Sequence, residues 1–217
     1  MTRPFVTLKL ATSLDGKIAL ANGQSEWITG EKSRAAGRLL RAGHDAIAVG
    51  ANTAVLDNPQ LTTRIDGAPN PVRVVFDTNL RLSPASNLAL TASETPVWVF
   101  TKSKEGRRAK ILSSLGVTLL PIGEEAGLDI THAMTILARR DIATLLVEGG
   151  GTLAASFLRR DLIDVIEWFR APLILGGDGR SGIGDLGLET LDLARRFTRV
   201  SVKEIGDDLH ERYERVI

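Results

Sequence analysis

Short apolar runs rich in β-branched residues alternate with helix-length segments along this chain, and that alternation limits the folds open to it. Strand signals fall at Phe5–Leu10, Ala46–Gly50, Val72–Phe76, Val97–Thr101, Val117–Pro121, Thr144–Glu148 and Val165–Phe169. Helix-length segments lie between them at Glu31–Ala42, Lys104–Ser114, Asp129–Arg140 and Thr152–Arg160. Most of the strand signals are continuously apolar, as strands covered on both faces are. The pattern predicts an α/β fold around a mainly parallel sheet. After the last signal, Thr198–Ile217 alternates apolar and polar residues with no helix inside it. It predicts an antiparallel C-terminal hairpin turning at Gly206-Asp207-Asp208. The stretches Ala68–Pro71 and Ser93–Pro96 are of loop length only, so residues 1–217 read as a single domain.

Composition removes several chemistries. With no cysteine there is no disulfide framework, thiolate zinc site, Fe–S cluster or cysteine nucleophile. The three histidines, His44, His132 and His210, have no metal spacing, and no G-x-S-x-G elbow is present. Metal hydrolysis and serine catalysis drop out, and no metal is expected. A formal charge of +1 supplies no field for nucleic acid or a membrane surface. Lys9, Asp15 and Lys17 interrupt the apolar runs near the N-terminus, so neither a signal peptide nor a membrane span is expected. A cytoplasmic protein is the expectation.

Candidate sites cluster after the strand signals, where ligands of α/β sheets bind. Ser13-Leu14-Asp15-Gly16-Lys17 follows the first of them. It is either a capped turn with a solvated lysine, or a turn that points Lys17 at an anion. Trp27 stands among polar residues, including Ser25, and is either a core aromatic or a ring for stacking on a heterocycle. Thr29 is a plausible N-cap for the helix at Glu31. Arg34, Arg38 and Arg41 share one face of that helix with no acid interposed; they form a solvated stripe or a phosphate site. After Gly50, Thr53 is either the N-cap of a short helix broken at Asn58-Pro59, or binds one ligand together with Asp57 and Arg64.

The strongest local signal is Val147-Glu148-Gly149-Gly150-Gly151-Thr152-Leu153-Ala154-Ala155-Ser156. A buried strand runs into three glycines and then a helix, whose free N–H groups suit phosphate. It is neither a G-x-G-x-x-G fingerprint nor a P-loop. Glu148 reads as a cleft acid or a salt-bridged strand end. A second glycine group, Gly176 to Gly184, is either another wall of the cleft or a mobile loop.

In order, Leu8–Lys17, Glu26–Thr29, Leu39–Arg41, Thr53–Arg64, Val147–Gly150 and Pro172–Gly177 resemble the reductase of riboflavin biosynthesis, usually fused behind a zinc-dependent deaminase in bacteria. The resemblance implies a dihydrofolate-reductase-like fold: three α/β/α layers, a mainly parallel central sheet and a C-terminal antiparallel hairpin. It implies an enzyme in which NADPH reduces the ribosyl chain of 5-amino-6-(5-phosphoribosylamino)uracil to the ribityl product. By the same resemblance Ala11, Trp27, Thr53, Asp57 and the run Gly150, Gly151, Thr152, Leu153, Ala154, Ala155, Ser156 would hold the cofactor. Thr78 and Arg81 would contact its adenosine end, with Arg81 a candidate for the 2′-phosphate. Ser25, Arg41, Leu61, Arg64, Glu148 and Lys17 would hold the substrate, with Arg41 and Arg64 on its phosphate. Asp57 or Lys17 is the candidate for proton delivery. The resemblance also favours a homodimer. The chain lacks the H-x-E and P-C-x-x-C deaminase signature, so a freestanding reductase is expected. Alternatives are reduction of the non-deaminated 2,5-diamino-6-ribosylamino-pyrimidinone 5′-phosphate or another pyrimidine or pteridine, and a non-catalytic nucleotide-binding module.

Overall fold

A computed structural model describes residues 2–124 and 127–216. In chain order the elements are β1 (Phe5–Thr12), β2 (Lys17–Ala19), α1 (Glu31–Ala42), β3 (Ala46–Gly50), α2 (Ala51–Leu56), β4 (Val72–Phe76), α3 (Asn87–Leu90) and β5 (Val97–Thr101). There follow α4 (Arg107–Ser114), β6 (Thr118–Pro121), β7 (Gly123–Glu124), β8 (Gly127–Leu128), α5 (Ile130–Ala138) and β9 (Thr144–Glu148). The chain ends with α6 (Gly151–Arg159), β10 (Val165–Arg170), β11 (Arg180–Ser181), a 3₁₀ turn at Leu191–Leu193, β12 (Phe197–Ile205) and β13 (Asp208–Arg215). The fold is mixed α/β, with mostly parallel strands and an antiparallel C-terminal hairpin.

Two compact units are distinguishable: Leu39–Leu146 with the residues up to Pro4, and Phe5–Arg38 with Val147 onward. In the first, β3, β4, β5 and β6 lie side by side and parallel, with Ala46 opposite Val72, Arg73 opposite Val97, and Trp98 opposite Thr118. Their continuous apolar character comes from burial: Ile47, Val49, Val75, Val97 and Val99 join Leu82, Leu88, Ala109, Leu112 and Leu146 in one core. The predicted helix at Lys104 starts later, at Arg107, because Gly106 is its N-cap residue with φ 93°.

In the second unit β1 pairs parallel with β10, β10 antiparallel with β13, and β13 with β12. The hairpin turns at Gly206 and Asp207, as its alternating pattern predicts. Beside it on β10 the buried Glu167 accepts from His210 Nε2 at 2.6 Å and Arg212 at 2.5 Å, both on β13. Burial alone would raise the Glu167 pKa, yet these two partners outweigh it and hold the carboxyl below its usual value. His210 stacks on Phe169 with ring centroids 4.3 Å apart.

Thr29 does not cap α1. The helix begins at Glu31, and its N-terminus is met instead by Asp208 of the hairpin. One carboxylate oxygen of Asp208 accepts from Gly30 N at 2.7 Å and Ser33 Oγ at 2.5 Å. A buried carboxylate from 178 residues away thus satisfies a main-chain donor at the helix start. Replacing it should leave two donors unmet. We expect Asp208→Ala to cost about 1–3 kcal/mol in denaturant unfolding, while Asp208→Asn, which keeps one acceptor oxygen, costs under about 1 kcal/mol. Equal losses for the two variants would show that the bonds are not what Asp208 contributes.

Candidate active site

In the second unit β9 ends on Glu148, which is 9 % exposed, and the chain turns through Gly149 (φ 112°) and Gly150 (φ 81°) into α6. These are left-handed conformations that a side chain would strain. Gly150 is the N-cap, supplies no side-chain bond, and the first turn of α6 carries no acid. The N–H groups of Gly151 and Thr152 therefore open a helix whose own cap and first turn carry nothing negative, an arrangement that receives anions. The N–H groups of Leu153 and Ala154 both go to Gly150 O. Leu153, Ala154 and Ala155 are buried, and Ser156 Oγ turns back to Thr152 O at 2.8 Å. Within the predicted run Gly150–Ser156, the first-turn main chain is the part left to meet a ligand.

The third glycine has a different cause. A Cβ on Gly151 would stand 2.4 Å from Ser181 O and 3.1 Å from Gly184 N. Gly184 N donates to Gly151 O at 2.9 Å. The second glycine group is thus a wall seated on the start of α6. β11 within it pairs antiparallel with β2, placing Ser181 opposite Lys17, and Gly182 N donates to Gly16 O at 2.9 Å.

Lys17 Nζ reaches Ser181 Oγ at 3.3 Å, so the lysine lies along this wall rather than in free solvent. Its turn is braced from inside. Ser13 Oγ accepts from Lys17 N at 2.9 Å and donates to Asp15 Oδ1 at 2.6 Å. Asp15 also accepts from Leu175 N at 3.1 Å and Gly176 N at 2.8 Å. The Ser13 hydroxyl first, then these main-chain donors, lower the Asp15 pKa from 3.8 to about 2 against the opposing effect of desolvation. A depressed carboxyl contributes its stability above its ordinary value and loses it as pH falls through the folded one. The brace is thus complete above 3.8 and released as pH falls towards about 2.

Trp27 is 67 % exposed, not a core aromatic, and Arg34 lies 4.4 Å from its ring centroid. An open cavity of about 640 Å³ is lined by Trp27, Thr29, Glu31, Arg34, Pro172 and Asp208, among others. The arginine stripe is not a stripe of available charge. Arg34 and Arg38 both pair with Glu31, one and two turns back on α1. Only Arg41 departs from that group. Ser25 and Ala11 are half-buried in this unit.

In the first unit the helix after Gly50 exists, but Thr53 lies inside α2 and Gly50 is its N-cap. Asp57 is the C-cap, exposed, its N–H bonded to Thr53 O. The loop beyond holds three non-glycine residues in the left-handed region: Asn58 (φ 41°), Leu61 (φ 56°) and Arg64 (φ 51°). Such strain persists only where the surroundings fix it. Here Asn87 clasps Asn58 through two hydrogen bonds of 2.8 and 2.7 Å, and Asn70 receives Thr63 N at 3.0 Å. The fully buried Arg73 donates to Gln60 O at 3.3 Å, and Arg41 to Thr62 O at 3.0 Å. Burial lowers the Arg73 pKa to about 10, with Glu94 opposing, so it stays charged at neutral pH.

This loop brings Arg41 beside the segment that carries Arg64, and leaves Arg64 exposed. Leu61 buries its side chain in the core, so any ligand contact there is through its main chain. Thr78 O accepts from Lys102 N and Thr101 Oγ1, and the exposed Arg81 donates to Asn52 Oδ1. Sequence reasoning missed Ser181, Arg73 and the Asn58–Asn87 pair. A single arginine inside the apolar run at Val72–Phe76 was the available signal for one of them. Among the described residues no three His, Asp or Glu side chains are grouped to hold a metal, and no helix is long and apolar enough to cross a membrane.

Residues 4–210 match the RibD C-terminal domain family. The riboflavin biosynthesis protein RibD of Aquifex aeolicus is 38 % identical over 208 residues, covering 95 % of this chain and 56 % of that protein. The chain thus spans a little over half the length of the curated RibD relatives it matches. The structure of Acinetobacter baumannii RibD superposes with a TM-score of 0.86 at 30 % identity, covering all of this chain and 59 % of that one. A pyrimidine reductase-like protein from Corynebacterium diphtheriae shares the fold, with a TM-score of 0.84 at 20 % identity, over 99 % of this chain and 92 % of that one. These are mixed α/β, dihydrofolate-reductase-like structures, as the resemblance implies.

The glycine wall generates a direct test. Gly151→Ala should push Ser181–Gly184 off α6 and cost about 1–3 kcal/mol in denaturant unfolding, the usual range for overpacking. Gly177→Ala, in the same wall but with nothing near its Cβ, should change stability by under about 0.5 kcal/mol. Equal effects would remove close approach as the reason for the third glycine.

Proposed function

The chain belongs to the RibD C-terminal domain family, and on that premise we propose that it is an NADPH-dependent reductase of riboflavin biosynthesis. Its substrate in this reading is 5-amino-6-(5-phosphoribosylamino)uracil, reduced at the ribosyl chain to the ribityl product. The observation that carries the reading furthest is the start of α6: two left-handed glycines, no capping side chain and no acid, which fits a dinucleotide phosphate. Two further features support it. Trp27 offers an exposed ring, and Arg41, on α1, donates to the braced loop that carries Arg64.

In this mechanism NADPH, when bound, supplies the hydride. The chain's own residues bind and orient. The main chain of Gly150–Thr152 would hold the cofactor phosphates, and Ala11, Trp27, Thr53 and Asp57 would also bind the cofactor. Thr78 and Arg81 would meet the adenosine end, with Arg81 on the 2′-phosphate. Arg41 and Arg64 would take the substrate phosphate by charge-assisted bonds. Ser25, Glu148 and the Leu61 main chain would hold the pyrimidine and ribose. Lys17, a cation along the wall, or Asp57, an exposed carboxyl, would deliver the proton that accompanies reduction. Acceleration would come chiefly from alignment of the two reactants. The 217 residues would act as one reductase domain, in the cytoplasm.

The test is loss of reduced-nicotinamide absorbance with the deaminated and the diamino substrate side by side. Turnover of the first and none of the second is expected; the reverse would place this enzyme before deamination. Arg41→Ala and Arg64→Ala should raise the substrate KM about 10- to 100-fold and change NADPH affinity under about twofold. NADPH bound but never oxidised would make the chain a binding module, and no NADPH binding would overturn the reading.

A homodimer is part of the same proposal. β12 is the edge strand of the second unit, nine residues long, with Val200 and Val202 exposed. Long apolar edges invite pairing with another strand. Sedimentation should find a dimer, and a charge at the edge, Val202→Lys, should yield monomer. A monomeric wild type would refute it.

A further inference from the structure

The carboxylate of Asp15 is exposed, yet both its oxygens are committed to protein donors. The mechanism above gives it no task. One oxygen faces Ser13, which in turn receives Lys17 N, and so fixes the turn from which Lys17 rises. Leu175 N donates to that same oxygen and Gly176 N to the other, at the entry to the glycine wall. Leu14 N donates to Leu173 O at 2.7 Å just upstream, and Gly182 N to Gly16 O at 2.9 Å further along. The wall then reaches Lys17 through Ser181, and the first residue of α6 through Gly184. Hydrogen bonds therefore tie the wall to the Asp15 turn at Leu175, Gly176 and Gly182, and to the start of α6 at Gly184.

We propose that Asp15 is a positioning residue that sets Lys17 and the N-terminus of α6 by anchoring the Leu175–Gly184 wall between them. It touches neither ligand. Its effect is on alignment, which a small displacement of the wall degrades. The assignment rests on the reductase reading for what Lys17 and α6 bind, whereas the anchoring itself does not.

The experiment uses Asp15→Ala and the near-isosteric Asp15→Asn in the full chain. Arg180, exposed within the wall, is a trypsin site that reports its anchoring directly. For Asp15→Ala we expect cleavage after Arg180 to accelerate about tenfold and NADPH affinity to fall about tenfold, with little change in thermal midpoint. kcat/KM for the pyrimidine should fall as well. Asp15→Asn, which keeps one acceptor oxygen, should lie between wild type and Ala on every readout, and carries the test alone if Asp15→Ala fails to fold. Unchanged NADPH affinity overturns the proposal whether or not cleavage accelerates. Weakened binding with unchanged cleavage also overturns it, because Asp15 would then act on the ligand itself. A wild type that binds no NADPH would count against the reductase reading only, and the cleavage rates would still decide whether Asp15 anchors the wall.

Discussion

Main chain packed on main chain leaves no volume for a side chain, and the start of α6 is built on such a contact. Gly151 meets Ser181 and Gly184 closely enough that its own hydrogen suffices and a methyl does not. The two glycines before it serve torsion, whereas this one serves distance. Because the wall sits directly on the helix start, the exposure of the Gly151 and Thr152 N–H groups depends on where the wall stands. Everything that fixes the wall, from the Asp15 carboxylate to the short β2–β11 pairing, acts on the same place.

Charge in this protein is used mostly to hold backbone. Arg73 is wholly buried and donates to the carbonyls of Gln60 and Thr91 and to the Thr91 hydroxyl. Asp208 receives the start of α1, Asp15 receives the start of the wall, and Glu31 occupies two of the three arginines on its helix. A near-zero net charge is compatible with this pattern, because most charged groups have a partner of their own. Arg64 differs: it stands exposed on a strained turn, where a phosphate would be a better partner than water.

The strands and α1 were legible because burial on both faces and a helical period write themselves locally. Four strand ranges, Ala46–Gly50, Val72–Phe76, Val97–Thr101 and Thr144–Glu148, and that of α1 were read to the residue. β11 was not legible, since two residues in a glycine-rich segment acquire strand geometry only from pairing with β2. The cap of α1 was misread for a related reason. Thr29 has the right chemistry for a cap, but the helix starts at Glu31 and a distant carboxylate meets Gly30 N and Ser33 Oγ there. The pairing within the arginine stripe was not legible, because Glu31, at the start of the helix, reaches along it to Arg34 and Arg38. For the site, the glycine junction and Trp27 announced themselves as breaks in pattern. Asp15 and Ser181 did not, because their significance lies in partners about 160 residues away.

The two units also differ in how synthesis meets them. The first is almost one continuous stretch, Leu39–Leu146, and its parallel strands pair with near neighbours in sequence. The second is interrupted by it: β1 pairs with β10, and α1 is completed by Asp208. A ribosome emitting this chain releases β1 with its partner strand still unmade, so an apolar segment must stay unpaired while more than a hundred residues follow. All the strands of the first unit are available once Leu146 is made, whereas β1 waits for β10. Contacts of such long sequence separation close slowly. The N-terminal strand is thus the segment most exposed to aggregation before folding finishes, and the one a chaperone would engage.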